Sequence, residues 1–210
     1  SIENMRDIGG YKNSLGNTLK TGKLIRSNLP ISLSNDDIYF IKKLGIKTII
    51  DLRSFDEIEV KKSVFEDNKD FKVYHIGINL GKDIPKTENQ VPKSYMQILT
   101  LYEKIKNIFE ILNNNDKVLY FCNAGKDRTG VITALIHKLL DVKKEDIIED
   151  YMATKEFMKE TLNMYANSNN EVLNVITPKR IYIETFLKEF EEKYTSIEKY
   201  LELIGIDKYI

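Results

Sequence analysis

The spacing of apolar positions changes several times along this chain, and each change marks an element. Lys47-Thr48-Ile49-Ile50-Asp51-Leu52 is a short β-branched run, the pattern of a strand covered on both faces. Val118-Leu119-Tyr120-Phe121 reads the same way, and Leu24–Arg26 and Phe71–Ile78 are further strand candidates. Between them the spacing is helical. Ser34 caps a helix running to Leu44, which Gly45 ends. Residues 93–113 place Ile98, Leu101, Ile105, Ile108 and Leu112 on one stripe, predicting a single long helix stopped by Asn113-Asn114-Asn115. Ile132, Leu135, Ile136 and Leu139 predict a helix over 128–140. From Lys144 onward the pattern is all helical, with Thr177 capping and Pro178 opening a helix that aligns Ile183, Phe186, Leu187, Phe190 and Tyr194. Strands alternating with helices imply an α/β fold, a mostly parallel central sheet flanked by helices, with a helical C-terminal part. No linker or composition shift divides the chain, so one domain over residues 1–210 is expected.

The candidate chemistry sits where the 117–121 strand meets the 128–140 helix. The only cysteine of 210 residues opens the segment Cys122-Asn123-Ala124-Gly125-Lys126-Asp127-Arg128-Thr129-Gly130, six positions before an arginine. Backbone N–H groups from Asn123 to Arg128 can turn inward and bind three phosphate oxygens, and the positive end of the helix dipole falls at the same place. Arg128 can grip two oxygens at once, which a lysine cannot. The thiol of Cys122 lies in this positive field, which favours the nucleophilic thiolate. Thr129, just inside the helix, is placed to donate its hydroxyl to the sulfur. A lone buried cysteine is more often a small hydrophobe, but the glycine, the Arg-Thr-Gly, the strand before and the helix after are separate requirements and all are met.

Cys-x5-Arg followed by Thr-Gly resembles the signature of the cysteine-dependent protein tyrosine phosphatase superfamily. The fuller AGKDRTG string is similar to its microbial tyrosine phosphatase branch, whose members often also accept phosphoinositides. Asn4-Met5-Arg6-Asp7-Ile8-Gly9-Gly10-Tyr11, Leu24-Ile25-Arg26-Ser27 and Leu44-Gly45-Ile46-Lys47-Thr48-Ile49-Ile50-Asp51-Leu52-Arg53-Ser54 with Glu57 resemble that branch's opening segments in order. The resemblance implies a tyrosine phosphatase-like fold, hydrolysis of phosphomonoesters through a cysteinyl-phosphate, and no metal or other cofactor. Cys122 would be the nucleophile, Arg128 the phosphate clamp, and residues Asn123, Ala124, Gly125, Lys126, Asp127 and Thr129 the remainder of the phosphate-binding loop. One departure is Phe121, where the family usually has histidine; losing that hydrogen-bonding neighbour implies slower turnover. A rhodanese-like sulfurtransferase also uses a cysteine loop after a parallel strand, but the x5 spacing and Arg128-Thr129 argue against it.

Two carboxylates compete for the general acid that protonates the leaving oxygen. Asp127 lies inside the loop and, by the resemblance, is the acid; the other reading is an ion pair that orients Arg128. Asp83, in Gly81-Lys82-Asp83-Ile84-Pro85, could act from a mobile loop but reads more readily as a solvated turn residue. Lys126 adds positive charge at the cup, either as a rim group meeting the extra phosphates of an inositol ring or as a solvent-facing lysine that raises the local field. Asp51 and Arg53 follow a strand: Arg53 either braces the loop through Asp127 or a carbonyl, or forms a surface pair with Glu57. His75 and His137 have no metal-ligand spacing, and a strand position and a polar helix face account for them. Residues 144–176, rich in Met152, Phe157, Met158, Leu162, Met164 and Tyr165, form either a wall of the cleft or a pair of helices packed away from it.

Acidic and basic residues balance at 32 each, which gives no global field for nucleic acid or a membrane surface. Hydrophobic content of 42% supports a sizeable core. One cysteine excludes an internal disulfide and fits a reducing compartment. No apolar stretch approaches a membrane span. The expected partner is a phosphorylated protein or a phosphoinositide, the expected state a monomer, and the expected location cytoplasmic, with a secreted effector as the alternative.

Overall fold

The computed structural model describes residues 2–79, 85–165, 167 and 169–206. Its sheet takes the order β1-β2-β5-β3-β4, with strands Arg6–Asp7 (β1), Leu24–Ser27 (β2), Thr48–Asp51 (β3), Lys72–His75 (β4) and Val118–Phe121 (β5). The β2, β5, β3 and β4 strands are mutually parallel, and the two-residue β1 pairs antiparallel with β2 at the edge. Alternation along the central strands divides the core. Val118, Tyr120 and Ile50 face a large cluster with the C-terminal helices, while Leu119, Phe121 and Ile49 face a smaller one with Ile41, Phe65 and Phe71. Ile41 belongs to helix α1 (Asn35–Leu44), which begins at a Ser34–Asp37 capping box and ends at Gly45 in the left-handed region. Both sheet faces are therefore covered, as βα alternation requires.

The large face packs helices α3 (Val91–Ile98), α4 (Tyr102–Asn114), α5 (Asp127–Leu139), α6 (Lys144–Phe157), α9 (Arg180–Tyr194) and α10 (Ile197–Leu203). The short helix α2 (Phe55–Val60) follows β3, and α7 (Lys159–Met164) and α8 (Asn170–Ile176) lie between α6 and α9 in the chain. Two boundaries differ from the sequence pattern. The single helix expected over 93–113 is two, because Leu101 leaves the helical region and the carbonyls around the break have other partners. The Thr100 hydroxyl donates to Gln97 O, and the Tyr200 hydroxyl, arriving from α10, donates to Leu99 O at 2.9 Å. The helix expected from Pro178 starts at Arg180, since Thr177 precedes proline, is extended, and spends its N–H closing α8 on Leu173 O.

Candidate active site

Three parallel strands end together. Ser27, Phe121 and Asp51 are in register on β2, β5 and β3, so the segments after them converge at one edge of the sheet. The loop from Cys122 to Lys126 turns there between β5 and α5. Three successive loop carbonyls are engaged from outside: Leu29 N–H donates to Asn123 O at 3.0 Å, Asn4 Nδ2 to Ala124 O at 3.0 Å, and the Arg26 guanidinium to Gly125 O at 2.6 Å. In a planar trans peptide the next N–H points the opposite way from the carbonyl, so the amides of Ala124, Gly125 and Lys126 turn toward the inside of the cup. Gly125 has φ +66°, and a Cβ there would lie 2.4 Å from Ser27 O, so both conformation and space require glycine. Cys122 is buried at the start of this turn, 2% exposed.

Arg128, one residue into α5, is held by Glu57. Both terminal nitrogens donate to the Glu57 carboxylate at 2.6 and 2.8 Å, and Asn123 Nδ2 donates to it as well. Glu57 is itself placed by the N-terminus of α2, where its side chain accepts from Ser54 N–H at 2.8 Å. Burial alone would raise the Glu57 pKa, but the hydrogen bonds and charge of Arg128, with Ser54, bring it down to about 2. Burial likewise opposes the Arg128 charge, and Glu57, Cys122 and Asp127 more than offset it, holding the guanidinium above its ordinary range.

Behind the loop lies a buried ion cluster. Arg26, fully buried, donates to Asp150 at 2.6 Å while its other terminal nitrogen holds Gly125 O. Arg6 donates to the other Asp150 oxygen at 2.9 Å and to Asp150 O and Thr154 Oγ1. Burial would raise the Asp150 pKa, yet the two guanidiniums lower it to about 2. The brace expected from Arg53 is thus supplied by Arg26. Arg53 is instead fully buried, bonded to Asp51 through Nε at 3.0 Å and a terminal nitrogen at 2.6 Å and to Lys61 O, with Phe121 stacked 5.6 Å away. It forms no hydrogen bond or ion pair with Asp127 or Glu57. Phe121, in place of histidine, fills the smaller core beside Phe65.

Asp127 opens α5 with its side chain 42% exposed. Its Oδ1 accepts from the Tyr95 hydroxyl at 2.6 Å and lies 3.2 Å from Lys126 Nζ. Lys126 corrects the sequence reading. It is 2% exposed, donates to Val175 O and sits over the Tyr182 ring, so it is neither a rim charge nor a solvent-facing lysine. Thr129 is fully buried, and its hydroxyl has no hydrogen-bond partner among the described residues, so the expected bond to the Cys122 sulfur is not formed. Asp83 lies outside the described residues. His137 is not on a polar face: it is buried, with Nε2 on Ile8 O, and burial lowers its pKa. His75 stands within ligand distance of Asp51 and Glu66, a grouping the spacing did not show, but the Asp51 carboxylate already carries the Arg53 hydrogen bonds.

Two cavities adjoin this loop. One, of about 730 Å³, is lined by Leu29, Ile31, Asn123, Ala124, Lys126 and Asp127 and walled by Met158, Leu162, Tyr165 and Val175. The other, about 430 Å³, runs over Ser54, Ile78, Ser94, Asp127 and Arg128. Asp56, Glu57, Asp127 and Val175 border both. Residues of α7 and α8, with Met158 at the junction of α6 and α7, therefore do wall the cleft, while Met164 points to solvent at 83% exposure. Arg26, Asp150, Glu57, Tyr95 and Asn4 were missed as site residues by sequence reasoning. Asn4, Arg26 and Glu57 lay in recognisable segments, but nothing local announced their partners.

The loop of inward amides at a helix N-terminus, with a buried thiol and a pinned arginine beside it, has the donors to hold a phosphate-sized anion. The sequence profile of the tyrosine phosphatase family matches residues 1–209, and the chain belongs to that family. It is 24% identical, over 221 residues, to a Cupriavidus necator protein named as a candidate tyrosine-protein phosphatase, covering 96% of this chain and 81% of that one. Among solved structures it is similar to kinase associated phosphatase with serine for its catalytic-site cysteine, at 16% identity, 90% and 95% coverage and a TM-score of 0.48. It is also similar to the catalytic core of the PP-IP phosphatase Siw14 from S. cerevisiae, at 19% identity, 92% and 94% coverage and a TM-score of 0.42. No helix among the described residues is long and apolar enough to cross a membrane.

Proposed function

We propose that this phosphatase hydrolyses phosphotyrosine in proteins through a cysteinyl-phosphate intermediate. The Cys122 thiolate attacks phosphorus as the bond to the tyrosyl oxygen breaks, and Asp127 supplies the proton that leaves with that oxygen. Water then attacks the thiophosphoryl group, returning a proton to Asp127 and releasing Cys122. The amides of residues 124–126 and Arg128 hold the equatorial oxygens in both steps. The observation that carries the reading is the outward engagement of three successive loop carbonyls, which turns the amides into the cup beside a buried Cys122.

The surroundings favour an aryl phosphate over a polyphosphorylated ring. Leu29, Ile31, Met158, Leu162 and Tyr165 offer apolar walls beside the loop. Asp56, Glu57 and Asp127 border it with carboxylates, and the Lys126 ammonium is committed to Val175 O and Asp127. A ring bearing several phosphates would meet these three carboxylates, against which Lys61 is the exposed lysine among the described residues of the cavity wall. Parallel assay of phosphotyrosine peptides and phosphoinositides, with Cys122→Ser as control, tests the reading. Faster release from the peptides, abolished in Cys122→Ser, supports it; a preference for the lipids transfers the substrate class.

A further inference from the structure

Two tyrosine hydroxyls are buried behind the phosphate loop and, among the described residues, hydrogen-bond only each other and Asp127. Tyr95, from α3, is fully buried, and Tyr151, from α6, is 2% exposed. The Tyr95 hydroxyl donates to Asp127 Oδ1 at 2.6 Å and lies 2.7 Å from the Tyr151 hydroxyl. A phenol carries one proton, so with that of Tyr95 committed to the carboxylate, Tyr151 must be the donor in the second bond. The chain therefore runs Tyr151 to Tyr95 to Asp127, each link polarising the next. Phenylalanine would fill both places without desolvating a hydroxyl, so core packing does not call for these groups.

The rings are fixed in place. Tyr95 packs edge-on against Tyr151 and against Phe186. Tyr151 lies against Gly130, where a Cβ would come within 3.2 Å of its ring. This gives the glycine after Arg128-Thr129 a physical reason: it admits the Tyr151 ring, which supports the Asp127 carboxylate through Tyr95. Lys126 Nζ, 3.2 Å from the same Oδ1, is its second contact and the one that carries charge. Among the described residues Oδ2 has no hydrogen-bond partner.

From this geometry we infer that Tyr95, supported by Tyr151, is a positioning residue for the general acid. It occupies Oδ1 so that Oδ2 is the oxygen that carries and delivers the proton. As the P–O bond breaks and the Sγ–P bond forms, the Oδ2 proton passes to the leaving oxygen, and the carboxylate left behind keeps its charge on a group already receiving a hydrogen bond from Tyr95 and paired with the Lys126 ammonium. In the second step Oδ2 takes a proton from the attacking water while the S–P bond breaks. The inference rests on Asp127 as the acid.

A series of aryl phosphates spanning leaving-group basicity separates the two claims, measured on wild type, Asp127→Asn, Tyr95→Phe, Tyr151→Phe and the Tyr95→Phe/Asp127→Asn pair. Tyr95→Phe is expected to slow the poorest leaving group about tenfold, the scale of one hydrogen bond to a charged group, and the best leaving group hardly at all. Tyr151→Phe should bend the profile the same way by a smaller factor, and inhibition by orthophosphate should be unchanged in both. The paired variant should lose nothing beyond Asp127→Asn, since the tyrosine acts through the carboxylate. A steep Asp127→Asn profile with a flat or uniformly lowered Tyr95→Phe profile overturns the inference and leaves the acid assignment standing. A flat Asp127→Asn profile overturns both. If Tyr95→Phe loses the fold, Tyr151→Phe decides: it keeps the Tyr95 contact with Asp127, and a flat profile in it overturns the inference.

Discussion

Replacing Asp150 by asparagine removes the one negative charge between two buried guanidiniums. The Asp150 side chain is 2% exposed and accepts from Arg26 at 2.6 Å and Arg6 at 2.9 Å. Its pKa, lowered from 3.8 to about 2, corresponds to about 2.4 kcal/mol of folding stability from ionisation alone. That contribution is fully present above 3.8 and is lost as pH falls through about 2. The substitution removes more, because it strands both cations where solvent cannot reach them; losing one partner of a buried pair costs about 3–5 kcal/mol. Against a typical total of about 5–15 kcal/mol the variant is expected to be folded but weakened. Urea unfolding of both proteins across pH measures this. The gap should be widest above about pH 4 and should narrow toward pH 2, as wild type loses the same carboxylate charge. Arg26 also holds Gly125 O, so orthophosphate should inhibit the variant less well. A gap below about 1 kcal/mol at neutral pH, or one that does not change with pH, would refute the reasoning, since either result means that the two arginines do not depend on this carboxylate.

Glu57→Gln should lower kcat/KM by about tenfold, because Arg128 loses its two-pronged carboxylate support; unchanged steady-state kinetics would contradict that role. The Glu57 contribution, with its pKa held at about 2 against an ordinary 4.5, is present above 4.5 and lost only as pH falls through about 2, so wild-type kinetics should show no Glu57 limb between about pH 5 and 8. Gly125→Ala forces a Cβ to within 2.4 Å of Ser27 O at a left-handed φ, and phosphate inhibition should weaken with a stability cost of about 1–3 kcal/mol by chemical denaturation. Lys126→Met should reduce phosphopeptide and phosphoinositide hydrolysis by the same factor, since the ammonium is spent on Val175 O; a selective loss toward the lipid would restore a headgroup role.

What the sequence made legible was local. The run Val118–Phe121, the glycine turn and the stripe after Arg128 are contiguous, so strand, loop and helix could be read together, and with them Cys122 and Arg128. The α1 boundaries were equally plain, because Ser34 and Gly45 act within a turn of themselves. The supports were not legible, because they join distant segments. Arg26 and Asp150 are separated by 124 positions, and Arg128 and Glu57 by 71. Charge and periodicity along the chain cannot say which carboxylate meets which guanidinium, and Arg53 rather than Arg26 took the brace role for that reason. Tyr200 breaking the 93–113 helix at Leu99 is the same effect in the backbone, a partner arriving from 101 positions away. Lys126 shows the limit for a single side chain: the loop motif located it, but only the α8 carbonyl of Val175 determines that it turns inward.

The central claim is that Cys122 carries the phosphoryl group. Rapid acid quench during turnover of an aryl phosphate, followed by mass spectrometry of the peptide containing Cys122, measures it directly. The account predicts one added phosphoryl group on that peptide in wild type, enriched when Asp127→Asn slows the second step and absent in Cys122→Ser along with hydrolysis. Hydrolysis that continues in Cys122→Ser, or steady turnover with no adduct on Cys122 in any variant, would contradict it.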